Sequence, residues 1–387
     1  MSEMDNELTQ YNDKIINNDN NNDNNNNNNN NDNNNDNDNN NDNDNDNDDD
    51  NTTTNIFFNR LEIVLRGHGL SPFSSKIALA YLQKNLKKDN GNKSLARVMQ
   101  YLLDKMNNKQ YIVNNNIIDW QKGCPNRIPN LTSSPFWDKN MFSWVKILET
   151  SYNDIKSEFL SLRNSNAFQP YRSPISENSS SSSPTTTNKI QDDLGEMATD
   201  KGSWNVCYLY LHGMDFEENL LKCPITTDVM KSIPRLYEHA FFSALAPNTH
   251  ITSHYGPTNK KLRCHLPLLI PKGDVSWLRV GDRRVLLKEG ECIIFDDSFE
   301  HEAGNDSISE PRVILVIDFW HPELTDEELY FFKFINNSQM NAAKKIAKTQ
   351  GYSESNRNQD FFTVILNARR NGVVPSEEIW GYKVNDD

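Results

Sequence analysis

Gly290-Glu-Cys-Ile-Ile-Phe-Asp-Asp-Ser-Phe-Glu-His-Glu302 carries a short apolar run, Cys292–Phe295, that opens on the turn signal Glu289-Gly290 and is followed by a histidine. The same pattern repeats on both sides. Val206–Leu211 is rich in β-formers and Tyr237–Ala246 in aromatics, and His265–Ile270, Trp277–Val280, Arg284–Leu287 and Arg312–Phe319 are brief apolar runs. Pro271-Lys-Gly273 and Gly281-Asp282 punctuate them. Many short strands at close spacing predict a β-sandwich or barrel. No βαβ alternation or glycine-rich phosphate loop suggests a nucleotide fold.

Outward from this β region the character changes. Trp144, Ile147 and Leu148 predict a helix after Pro129–Trp137, and a Ser/Thr/Pro/Asn-rich stretch from about 173 to 193 reads as a flexible insertion. Residues 56–126 show helical spacing at Phe57, Leu61, Val64 and Leu65, and again at Leu95, Val98, Leu102 and Leu103. His68, between two glycines, reads as a surface turn residue. Residues 326–387 return to helix, with Ala342, Ala343, Ile346 and Ala347. Residues 1–55 form a tail expected to be disordered, because Asn17 to Asn51 is Asn and Asp alone and offers nothing apolar to bury. Its aspartates, about 11, account for most of the formal charge of −14. The remainder is near −3, so the acidity implies no basic partner, and no basic run suggests nucleic acid.

The five cysteines are scattered without a CxxC and read as free thiols in a reducing compartment. Met1 to Gln10 is polar with no apolar stretch behind it, and no run is long enough to span a bilayer. A cytoplasmic protein without a membrane span is expected.

Seven of the eight histidines lie beyond Trp204. His254 stands a little before one predicted strand and His301 just after another. In a jelly roll, strand ends distant in sequence meet at the open mouth, where two neutral imidazoles can share one metal. A solvated or hydrogen-bonded role for each is the alternative. No HExxH supports zinc. Arg312 opens Val-Ile-Leu-Val-Ile, and an arginine beside an apolar interior needs an anion, a carboxylate by geometry. Arg263 and His265, two apart on a strand, share a face and could hold a second carboxylate. Salt bridges to Asp296, Asp297 or Glu300 are the other reading.

Several ordered stretches resemble the aspartyl/asparaginyl β-hydroxylase family. They are Ser253–Asn259, Leu262-Arg-Cys-His-Leu266, Ile270-Pro-Lys272, Gly290–Glu302 and Arg312 to Leu324, with Lys201-Gly-Ser-Trp204 and Pro129–Trp137 upstream. The likeness covers about residues 127–325. It implies a mainly β, cupin-like double-stranded β-helix with flanking helices, holding Fe(II) and using 2-oxoglutarate and dioxygen. It also implies hydroxylation of a C–H bond, with the β-carbon of Asp or Asn in a peptide or protein as the first reading. A small-molecule or lipid hydroxylase and a binding module without turnover are the alternatives. Carried over by motif, His254 and His301 are the iron ligands. Arg312 receives the distal carboxylate of 2-oxoglutarate, and Trp204, Ser243, Arg263 and His265 are further cosubstrate contacts. The common triad adds a carboxylate two residues after the first histidine. Here that position is Gly256, as the family also lacks the carboxylate, and Asp296 and Glu300 are the nearby candidates to replace it.

Overall fold

The computed structural model describes residues 46–68, 70–88, 94–107, 119–162, 167–171, 199–211 and 214–349. The chain divides into units Met1–Thr52 and Thr53–Asp387, and the fold concerns the second. The tail before residue 46, the insertion at 173–193 and the end of the chain beyond 349 lie outside the described residues.

Among the described residues three helices come first: α1 (Asp46–Gly67), α2 (Pro72–Lys88) and α3 (Ala96–Met106). The first begins inside the Asn/Asp-rich stretch assigned to the tail. After strand β1 (Phe136–Trp137) come α4 (Val145–Thr150) and α5 (Tyr152–Ser161). Strands β2 (Gln169–Pro170), β3 (Thr199–Lys201), β4 (Trp204–Leu211) and β5 (Met214–Asp215) precede α6 (Glu217–Lys222) and α7 (Pro224–Lys231). The remaining strands are β6 (Leu236–Leu245), β7 (Thr249–His254), β8 (Lys261–Leu269), β9 (Ser276–Val280), β10 (Arg283–Leu286), β11 (Ile293–Phe295), β12 (His301–Asn305) and β13 (Arg312–Trp320). Helix α8 (Asp326–Thr349) ends the described chain.

The strands form two antiparallel sheets. The larger runs β1-β11-β8-β13-β6-β4-β2 with β5 on β4, and the smaller runs β10-β9-β12-β7-β3. From β6 onward the chain passes back and forth between them, which is the winding of a jelly roll. Every residue of β13 is buried. One face, with Leu315 and Ile317, packs outward with Cys207 and Phe242 beneath α4–α7, through Leu148, Ile155, Phe159 and Met230. The other, with Ile314 and Val316, packs inward with Val206 and Phe241 against Ile251, Leu278, Val280 and Ala303 of the smaller sheet. Double-sided burial is why these strands read as continuous apolar runs rather than alternations.

Helices α1–α3 and α8 share a third core built on Trp320, Tyr237 and Leu324. Arg97 ties this layer together by gripping the buried Glu328 with Nε and Nη2, at 3.0 and 2.7 Å. His68 is not the surface residue expected: it is half-buried, its ring 5.8 Å from that of Tyr101.

Candidate functional site

The two histidines lie on strands rather than beside them. His254 ends β7, His301 begins β12, and the two are direct partners across the small sheet with ring centroids 4.1 Å apart. A register shift puts both rings inside. Ala303 pairs with Ile251, but His301 pairs with His254, so Thr252 and Ser253 together face the single residue Glu302. Without this bulge, His254 would point to the opposite face from Ile251, because side chains alternate along a strand. Each ring is then oriented by a backbone carbonyl two residues earlier. His254 Nδ1–H donates to Thr252 O and His301 Nδ1–H to Phe299 O, both at 2.8 Å. That fixes the tautomer and leaves each Nε2 with its lone pair. Burial lowers the pKa of His254 and pushes that of His301 well below the usual range, the neighbouring His254 adding to the latter. Two neutral imidazoles result, the form a metal requires.

The predicted cosubstrate residues converge on the facing sheet. Arg312, Leu245 and Trp204 are successive partners across β13, β6 and β4, and Ile314, Ser243 and Val206 form the next row. All of these face inward. Trp204 Nε1 donates to Ser243 Oγ at 2.9 Å, and Tyr171 stacks on the indole at 3.7 Å between centroids. Arg312 is only 1 % exposed, and its Nε and Nη2 have no hydrogen-bond partner among the described residues. Burial drives its pKa down to about 9, and no acidic side chain among the described residues offsets it. On β8, His265 sits edge-on to Phe295 with Nδ1 unpartnered, its pKa well below normal through burial and then the charges of Arg312 and Arg263.

Arg263 differs from these two. Its guanidinium is already held by Asp318, Nε–Oδ1 at 2.7 Å and Nη2–Oδ2 at 2.9 Å, with Asp297 at 3.4 Å. Lys261 and His239 complete the cluster: Lys261 Nζ reaches Asp297 at 2.5 Å and Asp318 at 2.9 Å, and His239 Nδ1 lies 3.0 Å from Asp318. Burial would push the Asp318 carboxyl up, but these cations hold it well below the usual range. The salt-bridge reading of Arg263 therefore holds in part, with an aspartate that the sequence did not single out.

Among the described residues no group of three or more His, Cys, Asp or Glu side chains could hold a metal ion. A Cβ on Gly256 would come 2.7 Å from Asp297 Oδ1, so Asp297 occupies the space a side chain at 256 would need. Asp297 Oδ1 is buried without a hydrogen-bond partner among the described residues. Of the residues proposed as substitutes, Asp296 bonds to Gln121 and Ser298, and Glu300 to Arg279 and Tyr255. The residues present fit a dicarboxylate-chelated metal: two ligand-ready imidazoles on one wall, and an unsatisfied buried guanidinium on the other.

A family model described as aspartyl/asparaginyl beta-hydroxylase matches residues 149–322. The human aspartate beta-hydroxylase domain-containing protein 2 is 32% identical over 216 residues, 54% of this chain and 53% of that protein. The ornithine lipid ester-linked acyl 2-hydroxylase of Rhizobium tropici is 30% identical over 228 residues, 59% of this chain and 73% of that protein. The human aspartyl/asparaginyl beta-hydroxylase is 36% identical over 137 residues, 34% of this chain and 18% of that protein. The chain thus spans about half the length, or less, of several curated relatives it matches. Motifs, jelly roll and relatives agree that the chain belongs to the aspartyl/asparaginyl β-hydroxylase family.

Proposed function

We propose that this protein is an Fe(II)- and 2-oxoglutarate-dependent dioxygenase that hydroxylates an unactivated C–H bond. The observation that carries the reading is Arg312, a fully buried guanidinium with two unsatisfied nitrogens, facing inward in the same barrel as the His254–His301 pair. An unpaired buried cation is costly, and a planar carboxylate is the anion that satisfies it bidentately. His254 and His301 would hold the metal, and Arg312 the distal carboxylate of 2-oxoglutarate. Trp204 and Ser243 would line the cosubstrate, with Ser243 Oγ oriented by the indole N–H. His265 would offer its free Nδ1 as a hydrogen-bonding atom, and Arg263 would add positive charge while anchored by Asp318. The metal and cosubstrate, when bound, supply the oxidising chemistry. The chain orients the reagents and keeps water from the inner walls, which Phe241, Phe295 and Ile314 make apolar.

The acceptor we favour is the β-carbon of Asp or Asn in a peptide or protein, in line with the name of the matching family. A lipid acyl chain or small molecule is the second reading, supported by the Rhizobium relative, of which the chain covers 73%. No helix among the described residues is long and apolar enough to cross a membrane. Five free, buried thiols support a reducing compartment, the cytoplasm in our reading. The test offers purified protein Asp- and Asn-containing peptides, then phospholipid and amino-acid lipid vesicles, with Fe(II), 2-oxoglutarate and oxygen. Gain of one oxygen atom by a peptide, read by mass spectrometry, supports the first acceptor. Gain by an acyl chain alone replaces it with the second.

A further inference from the structure

The bulge that turns His254 inward is closed from outside by one side chain. Arg279, on β9, is the direct partner of Glu302 on β12, and both lie on the opposite face of the small sheet from His301 and Val280. Its guanidinium spends its donors on four residues. Nε donates to Glu302 Oε1 at 2.5 Å and Nη1 to Gly281 O at 2.7 Å. Nη2 donates to Ser253 Oγ and Glu300 Oε1, each at 2.9 Å. Ser253 Oγ–H passes on to Glu302 Oε2 at 3.0 Å, and Tyr255 O–H reaches Glu300 Oε2 at the same distance.

These partners are the chain neighbours of the two histidines. Glu300 and Glu302 flank His301, while Ser253 and Tyr255 flank His254, and Ser253 is one of the two bulged residues. The guanidinium thus joins three strand segments across the place where the ladder is irregular. Trp120 covers it, with the Arg279 Cζ 5.6 Å from the ring, and the Trp120 carbonyl accepts from Glu300 N at 2.6 Å. With no third ligating side chain in the described residues, the spacing of the two Nε2 atoms is set by this register together with the Nδ1–H bonds that orient each ring.

We propose that Arg279 is a positioning residue for the metal site, setting the His254–His301 geometry by pinning the bulge from the outer face. This rests on the reading of the two histidines as metal ligands. A planar fork is required, because a lysine supplies a point charge and cannot span Glu302, Ser253 and Glu300 together.

The experiment titrates Mn(II) into the full chain, following the free ion by electron paramagnetic resonance, with folding checked by circular dichroism. Arg279→Gln should weaken Mn(II) binding about 10- to 100-fold. Arg279→Lys should regain melting temperature without regaining affinity. Arg284→Gln is the control. It removes an arginine of the same sheet that stacks on Trp277 at 4.1 Å and pairs with Asp306 at 3.8 Å, without touching the histidine flanks. It should bind Mn(II) like the parent. Parent-like affinity in Arg279→Gln, or loss only in proportion to unfolded protein, would overturn the proposal while leaving the metal reading intact. A parent no better than His301→Ala would overturn both.

Discussion

Replacing Arg312 by Met should make the ligand-free protein more stable and, on the proposed function, weaken binding of 2-oxoglutarate. The guanidinium is buried with two unsatisfied nitrogens, and burial alone pulls its pKa down to about 9. That displacement, at about 1.4 kcal/mol for each pH unit, puts the burial penalty at roughly 5 kcal/mol as an order of magnitude. Methionine keeps much of the aliphatic stem that packs beside Leu245, and it carries no charge to desolvate. Exchanging buried charge for well-packed apolar volume commonly gains about 1–4 kcal/mol. For a domain of this size each kcal/mol is worth about 2–4 °C in Tm. In the presence of cosubstrate the sign reverses, because the partner carboxylate then has no cation. Loss of one member of a buried charged pair costs about 3–5 kcal/mol, a Kd some 10²- to 10⁴-fold weaker. Calorimetric titration with 2-oxoglutarate in the presence of Mn(II), beside melting curves without either, reads both effects. A variant that melts below the parent in the ligand-free state, or binds 2-oxoglutarate as tightly, refutes the reasoning.

Asp318→Asn should destabilise the fold by about 3–5 kcal/mol, since it strips the buried counter-charge from Arg263 and Lys261; a denaturant midpoint equal to the parent's would contradict this. Gly256→Asp, which writes the common His-x-Asp arrangement into the chain, should lower metal affinity and stability, because the new Cβ meets Asp297 at 2.7 Å; tighter Mn(II) binding would show that Asp297 yields. Burial raises the Asp296 pKa to about 7, so the folded state keeps a proton that the unfolded chain has released above about pH 4. Its contribution to stability is therefore present at low pH and lost as pH rises from about 4 to about 7. Asp296→Asn should gain on the parent across that window, and parallel pH–stability profiles would show that the carboxyl is already ionised in the folded protein.

What the sequence disclosed follows from the kind of signal each residue leaves. Strands β4, β6 and β13 are buried on both faces, so their apolar runs stood out, and an arginine opening such a run was conspicuous. Strand β8 begins at Lys261, four residues earlier than the run starting at His265 suggested. Lys261 and Arg263 face inward as charges, and only their pairing with Asp297 and Asp318 makes that tolerable. Strand β12, His-Glu-Ala-Gly-Asn, has neither β-branched residues nor apolar alternation, so no periodicity could reveal it. The bulge at Thr252 and Ser253 leaves no local mark either, since it shows only when β7 is laid against β12. Motif resemblance located the histidines and Arg312. The outer clasp of Arg279, and the place of Trp120 and Gln121 against the Asp296–Glu300 loop, come from contacts distant in sequence.

The most direct test of the central claim is succinate formation by purified protein supplied with Fe(II), 2-oxoglutarate and oxygen, run beside His301→Ala. Cosubstrate turnover can proceed slowly without the true acceptor, so the parent should release succinate in an Fe(II)-dependent manner and the variant should not. Folded parent protein that yields no more succinate than His301→Ala, and binds 2-oxoglutarate no better with metal than without it, would contradict the dioxygenase account.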